Sequence, residues 1–114
     1  MSPTQLTLRH LRDQGYQCWV VEYWNGFTHR RVDMFGCIDV VGVSSLGTIA
    51  VQTTAYSGVS ERVKKVQGSE FLQGMVNAGW QVKVHGWRKV KNRWQVREVD
   101  VKDGLPKAVP NEIL

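Results

Sequence analysis

A carboxylate and a carboxamide interrupt the largely apolar stretch 38–55, IDVVGVSSLGTIAVQTTA: Asp39 on its first arm and Gln52 on its second. The stretch reads as two strands joined by the tight turn SSLG. Residues two apart on a strand share a face, so Asp39 groups with Cys37 and Val41, and Gln52 with Ala50 and Thr54. A short turn then sets Asp39 and Gln52 on neighbouring strands and on the same side. Glu22 sits amid apolar residues in the preceding strand (VVEYW), and Asp33 stands a few residues before Asp39. Three carboxylates and one amide oxygen would gather at one end of a sheet. Like charges buried together need a neutralising partner. A hard divalent cation answers that need. Magnesium, or manganese in its place, uses one or two carboxylates, some waters and a substrate phosphate. A purely structural account is also open. Asp39 could accept backbone amides in the bend after Gly36, Asp33 could pair with Arg30 or Arg31, and Glu22 could face solvent.

Other familiar chemistries lack their residues. There is no G-x-x-x-x-G-K-[ST] phosphate loop, no G-x-G-x-x-G after a strand and no G-x-S-x-G elbow. His10, His29 and His85 are isolated and read as ordinary surface or half-buried side chains. Cys18 and Cys37 each lie in an apolar run, with no C-x-x-C partner and no histidine spacing for zinc. They read as buried free thiols in a reducing compartment.

The bulk properties bound the answer. A length of 114 residues suits one domain, and 42% hydrophobic residues supply a core. The net charge of +5 fits a polyanionic partner, nucleic acid first and an acidic membrane surface second. The N-terminus has no apolar segment of the signal-peptide kind, and no apolar run approaches the length of a membrane span. The expectation is a cytoplasmic protein with no membrane partner.

The elements that must position the polar residues can be read along the chain. Residues 3–14 form a helix capped by Ser2, with Pro3 in its first turn, Leu6, Leu8 and Leu11 on its apolar side and Gly15 as its stop. QCWVVEYW, 17–24, is a strand; RRVDMFGCIDVVGV is a second, bent or bulged at Gly36; TIAVQTTA is a third. Residues 60–78 are helical, capped by Ser60 and interrupted near Gly68 and Gly74. QVKVHGWRKV and RWQVREVDV are two further strands joined across KN, and the tail KDGLPKAVPNEIL is irregular. The class is α/β, an α+β arrangement on one mixed sheet in the order α-β-β-β-α-β-β, whose first three strands form an antiparallel meander.

With these residues in place, the chain resembles the PD-(D/E)xK nuclease superfamily. That family sets an Asp on one strand of a hairpin and a Glu and a Lys two apart at the end of the next. MFGCIDVVGVSSLGTIAVQTTA looks like this hairpin, with Asp39 in the Asp position. The nearest resemblance is to the Holliday-junction-resolvase-like branch and its small phage and bacterial relatives, over Leu6 to about Val101. It implies a restriction-endonuclease-like core, a magnesium-dependent deoxyribonuclease and a homodimer. Gln52 stands where the family has Glu, and Thr54 where it has Lys. A Gln carbonyl can still ligate magnesium. In some relatives the missing cation is supplied by the following helix, where SERVKKVQ offers Arg62, Lys64 and Lys65. Arg62 and Lys65 share a helical face, so the resemblance assigns Lys65 the catalytic cation and Arg62 a phosphate; a solvated basic face of all three is the other reading. The acidic residue of the resolvases' leading helix is missing, with Thr4 or Gln5 near its place.

A second basic group, Arg88, Lys89, Lys91 and Arg93 in WRKVKNRW, surrounds a hairpin tip with Trp87 and Trp94 between them. That mixture suits phosphate contacts with stacking on unpaired bases. Charged hairpin tips also serve solubility, and Trp80 reads as core. The expected function is therefore metal-dependent hydrolysis of DNA, branched or single-stranded. Asp39 would be the main metal ligand and Gln52 a weaker one, with Asp33 and Glu22 auxiliary; Asp39, Gln52 and Lys65 would form the catalytic set, with Arg62, Lys64, Arg88, Lys89 and Arg93 on the substrate. Two alternatives stand beside it: a catalytically silent nucleic-acid-binding module of the same fold, and a protein-interaction domain.

Overall fold

Ser2 opens the first helix from an extended conformation, and the capping box is complete. Its hydroxyl accepts the Gln5 N–H at 3.2 Å, and Gln5 Oε1 accepts the Ser2 N–H at 3.1 Å. The helix α1 spans Pro3–Asp13, and Gly15 turns the chain away with φ of +94°. The computed structural model describes residues 1–101; the tail expected to be irregular, 102–114, lies outside the described residues.

After α1 the order is β1 (Gln17–Val20), β2 (Glu22–Asn25), β3 (Arg30–Asp33), β4 (Val40–Ser44), β5 (Gly47–Ala55), a 3₁₀ turn (Tyr56–Gly58), α2 (Val59–Gln67), α3 (Leu72–Asn77), β6 (Gln81–Val90) and β7 (Arg93–Asp100). The chain is an α+β domain on a mixed five-stranded sheet, β1-β4-β5-β6-β7, with β2 and β3 forming a separate two-stranded ribbon. The β1, β4 and β5 strands are antiparallel, as expected for the meander, and β5 and β6 are parallel. The parallel step needs a crossover, which α2 and α3 supply.

Several expectations are corrected here. The strand expected over 17–24 breaks at Val21, whose N–H donates to the Asp39 carbonyl at 2.8 Å and whose carbonyl accepts the Met34 N–H at 3.1 Å. The chain changes partners there, from β4 to β3. The second expected strand breaks at a loop in which Phe35 and Gly36 take φ of 55° and 73°, closed by the Ile38 N–H on the Met34 carbonyl at 2.9 Å. The helical stretch expected over 60–78 is interrupted at Gly68, the C-cap of α2, as expected, but not at Gly74, which lies inside α3. Gly58 stands at the N-cap of α2, so Ser60 is an interior residue rather than the cap. The element order α-β-β-β-α-β-β is thus too short by two strands and one helix.

Helices cover both faces of the sheet. Leu11 of α1 packs with Tyr16, Val40, Ile49 and Val51 on one face. Val59 and Val66 of α2 and Leu72 and Met75 of α3 pack with Ala50, Val82 and Val84 on the other. Central β5 is buried on both faces, which is why TIAVQ reads as a near-continuous apolar run. Packing is closest at Gly86 of β6, where an added Cβ would overlap the Val59 side chain and meet Tyr56 Cα at 3.2 Å. Gly86→Ala is expected to destabilise the protein by about 1–3 kcal/mol through overpacking, read from a lowered urea midpoint at unchanged slope.

Candidate metal centre

Asp39 enters the main sheet directly after the 34–38 loop. Its N–H donates to the Val51 carbonyl at 2.9 Å, which fixes its side chain beside the end of β5. Asp39 is 4% exposed. Its Oδ2 accepts the Thr53 N–H at 2.8 Å, the Thr53 hydroxyl at 3.1 Å and the Gln52 side-chain amide. The expected juxtaposition of Asp39 and Gln52 is therefore present, and the amides that Asp39 uses come from β5 rather than from the bend after Gly36.

Glu22 and Asp33 arrive from a different direction. They are direct partners at the root of the β2–β3 ribbon. One carboxylate oxygen from each of Glu22, Asp33 and Asp39 lies within 4.8 Å of the others. Glu22 accepts Arg31 Nη1 at 3.0 Å, and Asp33 accepts Lys65 Nζ at 3.1 Å. Neither Glu22 left to solvent nor Asp33 paired with a neighbouring arginine describes the arrangement. Asp39 pairs with no cation among the described residues, and its pKa is pushed up to about 7, by burial first and then by the nearby Asp33 and Glu22 charges, against the Thr53 amide, which holds it down.

The donor set fits a hard cation. Asp39 Oδ2, already the acceptor of both Thr53 hydrogen bonds, also takes the Gln52 NH₂, which turns Gln52 Oε1 away from it. That oxygen is buried and has no hydrogen-bond partner among the described residues. A buried amide carbonyl without a donor loses about 1–3 kcal/mol, which a cation would restore. Three crowded carboxylates and an unsatisfied carbonyl offer only oxygen, the preference of magnesium, manganese and calcium alike.

These groups open into a cleft of about 480 Å³, which also exposes Thr4, Thr54, Arg31, Arg62 and Lys65. Arg62 and Lys65 do share a helical face, and that face borders the carboxylates. Thr4 lines the cleft and shares a 3.1 Å hydroxyl contact with Thr53, while Gln5 is spent on the helix cap. Lys64, Arg88, Lys89 and Arg93 do not line the cleft. Arg88 lies over the Tyr56 ring at 4.1 Å, and Lys89 faces the Trp94 ring at 5.6 Å. Trp87 is no stacking platform, because it is buried and donates Nε1–H to the Thr7 hydroxyl at 2.9 Å.

A second polar cluster was missed at the sequence level. His85 is fully buried on the α1 face, with Nδ1 3.2 Å from the Thr7 hydroxyl and Nε2 2.8 Å from Glu98. Reading it as an ordinary surface or half-buried histidine is thus corrected. Thr7, His85 and Glu98 line up as nucleophile, base and orienting acid do, but Thr7 is itself fully buried and no substrate reaches it. The cluster is scaffold. Its signal was available in QVKVHGWRKVKNRWQVREV: a two-residue KN turn sets His85 opposite Glu98.

A comparison with known proteins finds no matching family model, no matching curated protein and no matching solved structure. Among the described residues no helix is long and apolar enough to cross a membrane.

Proposed function

We infer that the chain is a divalent-metal-dependent DNA endonuclease with a restriction-endonuclease-like core of the PD-(D/E)xK kind. The observation that carries this reading is the Glu22, Asp33 and Asp39 oxygen cluster beside the donorless carbonyl of buried Gln52. Asp39, Gln52, Asp33 and Glu22 would hold magnesium or manganese, with Asp39 as principal ligand. The bound ion would supply Lewis-acid polarisation of a phosphodiester and a water of lowered pKa. The chain's own residues do the rest. Thr53 and Gln52 orient the Asp39 carboxylate, and the cleft cations meet the phosphate. Lys65 and Arg31 neutralise Asp33 and Glu22 in the metal-free protein, so an ion taking over those carboxylates would leave both cations available to the substrate. Lys65 then does from α2 what Thr54, lacking a charge, cannot do from β5.

Labelled single-stranded, duplex and four-way-junction DNA should be cut with magnesium or manganese and left intact in EDTA. Lys65→Ala is expected to slow cutting by about ten- to a hundredfold, in keeping with loss of one positioned charge. Thr54 at the lysine position favours a second reading, a silent module that binds DNA without cutting it. Salt-sensitive binding with no metal-dependent product in the wild type would establish that reading in place of the first.

A further inference from the structure

We propose that the β2–β3 ribbon is a nucleic-acid-gripping arm that selects DNA with unpaired bases beside the cleaved phosphate. The proposal rests on reading the carboxylate cleft as a phosphodiester site.

Alternation along the ribbon makes the argument. Directly opposed residues share a face, so Glu22 with Asp33 and Trp24 with Arg31 all lie on one side. A single face therefore runs from the metal carboxylates at the root to an indole and a guanidinium one strand repeat further out, about 7 Å. Trp24 is 61% exposed, although it packs edge-on against His29. Beyond it the apex carries Phe27, which is 99% exposed. The apex has a defined shape. Asn25 Oδ1 accepts the Phe27 and Thr28 N–H groups at 3.0 and 3.3 Å, and His29 closes the turn at φ of 53°. An exposed phenyl ring held at the tip of a hydrogen-bonded turn has no role in the core.

Charge selects the occupant. Exposed Arg31 lies opposite Trp24 on this face and exposed Arg30 on the other face next to the apex turn, and Arg31 and Arg62 continue the cationic lining into the cleft. Two such arms facing each other in a second copy of the chain would repel. A polyanion with bare base faces satisfies both the arginines and the rings, since every base offers a π-face for stacking. A base-paired duplex presents phosphates but keeps its base faces covered. The arm thus makes the region near the scissile bond read single-stranded character rather than sequence.

The test is fluorescence anisotropy of the full chain with a labelled oligothymidylate and with a blunt duplex of equal length, in EDTA and in calcium. Wild type is compared with Phe27→Ala and with Trp24→Ala/Phe27→Ala. Both side chains are exposed, so the variants keep the fold. The expected result is tighter binding of the single strand by wild type, and a roughly tenfold or greater loss for it in the double variant with duplex affinity unchanged. Equal losses on both DNAs, no loss on either, or no binding by wild type would each overturn the proposal. So would a wild-type dimer that the double variant dissociates with DNA affinity intact, since the rings would then belong to a second copy. Arm-dependent binding of the single strand with no cutting in magnesium sinks the catalytic reading alone.

Discussion

Asp39→Asn is expected to abolish metal-dependent DNA cleavage, by a thousandfold or more on order of magnitude, and to raise the melting temperature of the metal-free protein. The two effects have one origin. Asp39 is the most buried of three carboxylates within 4.8 Å, and among the described residues it alone of the three has no cation paired with it. Its ionised form is tolerable when a metal neutralises it and unfavourable otherwise. On the proposed reading, removing the charge would delete the principal ligand, and with it Lewis-acid assistance of several kcal/mol. The replacement carboxamide keeps an oxygen to accept the Thr53 amide and turns an NH₂ toward the remaining carboxylates.

The pH dependence follows from linkage. The folded-state pKa of Asp39 is raised to about 7 from the ordinary carboxylate value of 3.8, so between those values the folded protein binds more protons than the unfolded chain. Its stability falls as pH rises through that window, by an upper figure of about 4 kcal/mol. In EDTA the variant should therefore melt with wild type near pH 4 and several degrees above it at pH 8.5. Manganese should raise the wild-type melting temperature at pH 8.5 and leave the variant's unchanged. A variant no more stable than wild type at pH 8.5 would mean that Asp39 is not an unneutralised buried charge.

Much of this site was legible because its determinants are local. Ser2, Pro3 and Gly15 mark α1 by cap, first turn and stop. Period-two alternation marks β6 and β7, and the SSLG turn fixes the register that brings Asp39 and Gln52 together. The two-stranded ribbon was not legible, since QCWVVEYW contains no breaker. Val21 ends a strand because its N–H and carbonyl belong to Asp39 and Met34, and those partners lie far along the chain. The same gap hid how Glu22 and Asp33 meet, as opposed residues of one ribbon rather than members of the main sheet. Lys65 was legible as a helix-face cation, but its pairing with Asp33 required the crossover to be in place.

His85→Ala carries the second largest expected effect, a loss of about 3–4 kcal/mol in stability with the metal centre intact. Glu98 fixes the direction of every proton in the buried chain. Its pKa is held down at about 2, first by the hydrogen bond from His85 and then by Lys83, so it is an acceptor throughout the neutral range. In the neutral imidazole His85 Nε2 then carries the hydrogen and donates to it, which leaves Nδ1 to accept the Thr7 hydroxyl. With its own hydrogen so directed, the Thr7 oxygen keeps a lone pair for Trp87 Nε1–H. One continuous run from Trp87 through Thr7 and His85 to Glu98 ties β6 to α1 and β7. Truncating His85 empties an imidazole-sized space in a fully buried site and strands the Thr7 hydroxyl, and the two losses together reach the stated size. Glu98 adds a pH signature of its own. Its depressed pKa contributes stability above the ordinary carboxylate value of 4.5 that is lost as pH falls toward 2, so the wild-type advantage should shrink on acidification. Urea unfolding at pH 7 and pH 3 reads both effects. Cleavage by the folded variant, assayed at low temperature, should stay within about threefold of wild type, because Thr53 and Gln52 still position Asp39 from β5. A folded variant that binds DNA but no longer cuts it would transfer His85 from the scaffold to the chemistry.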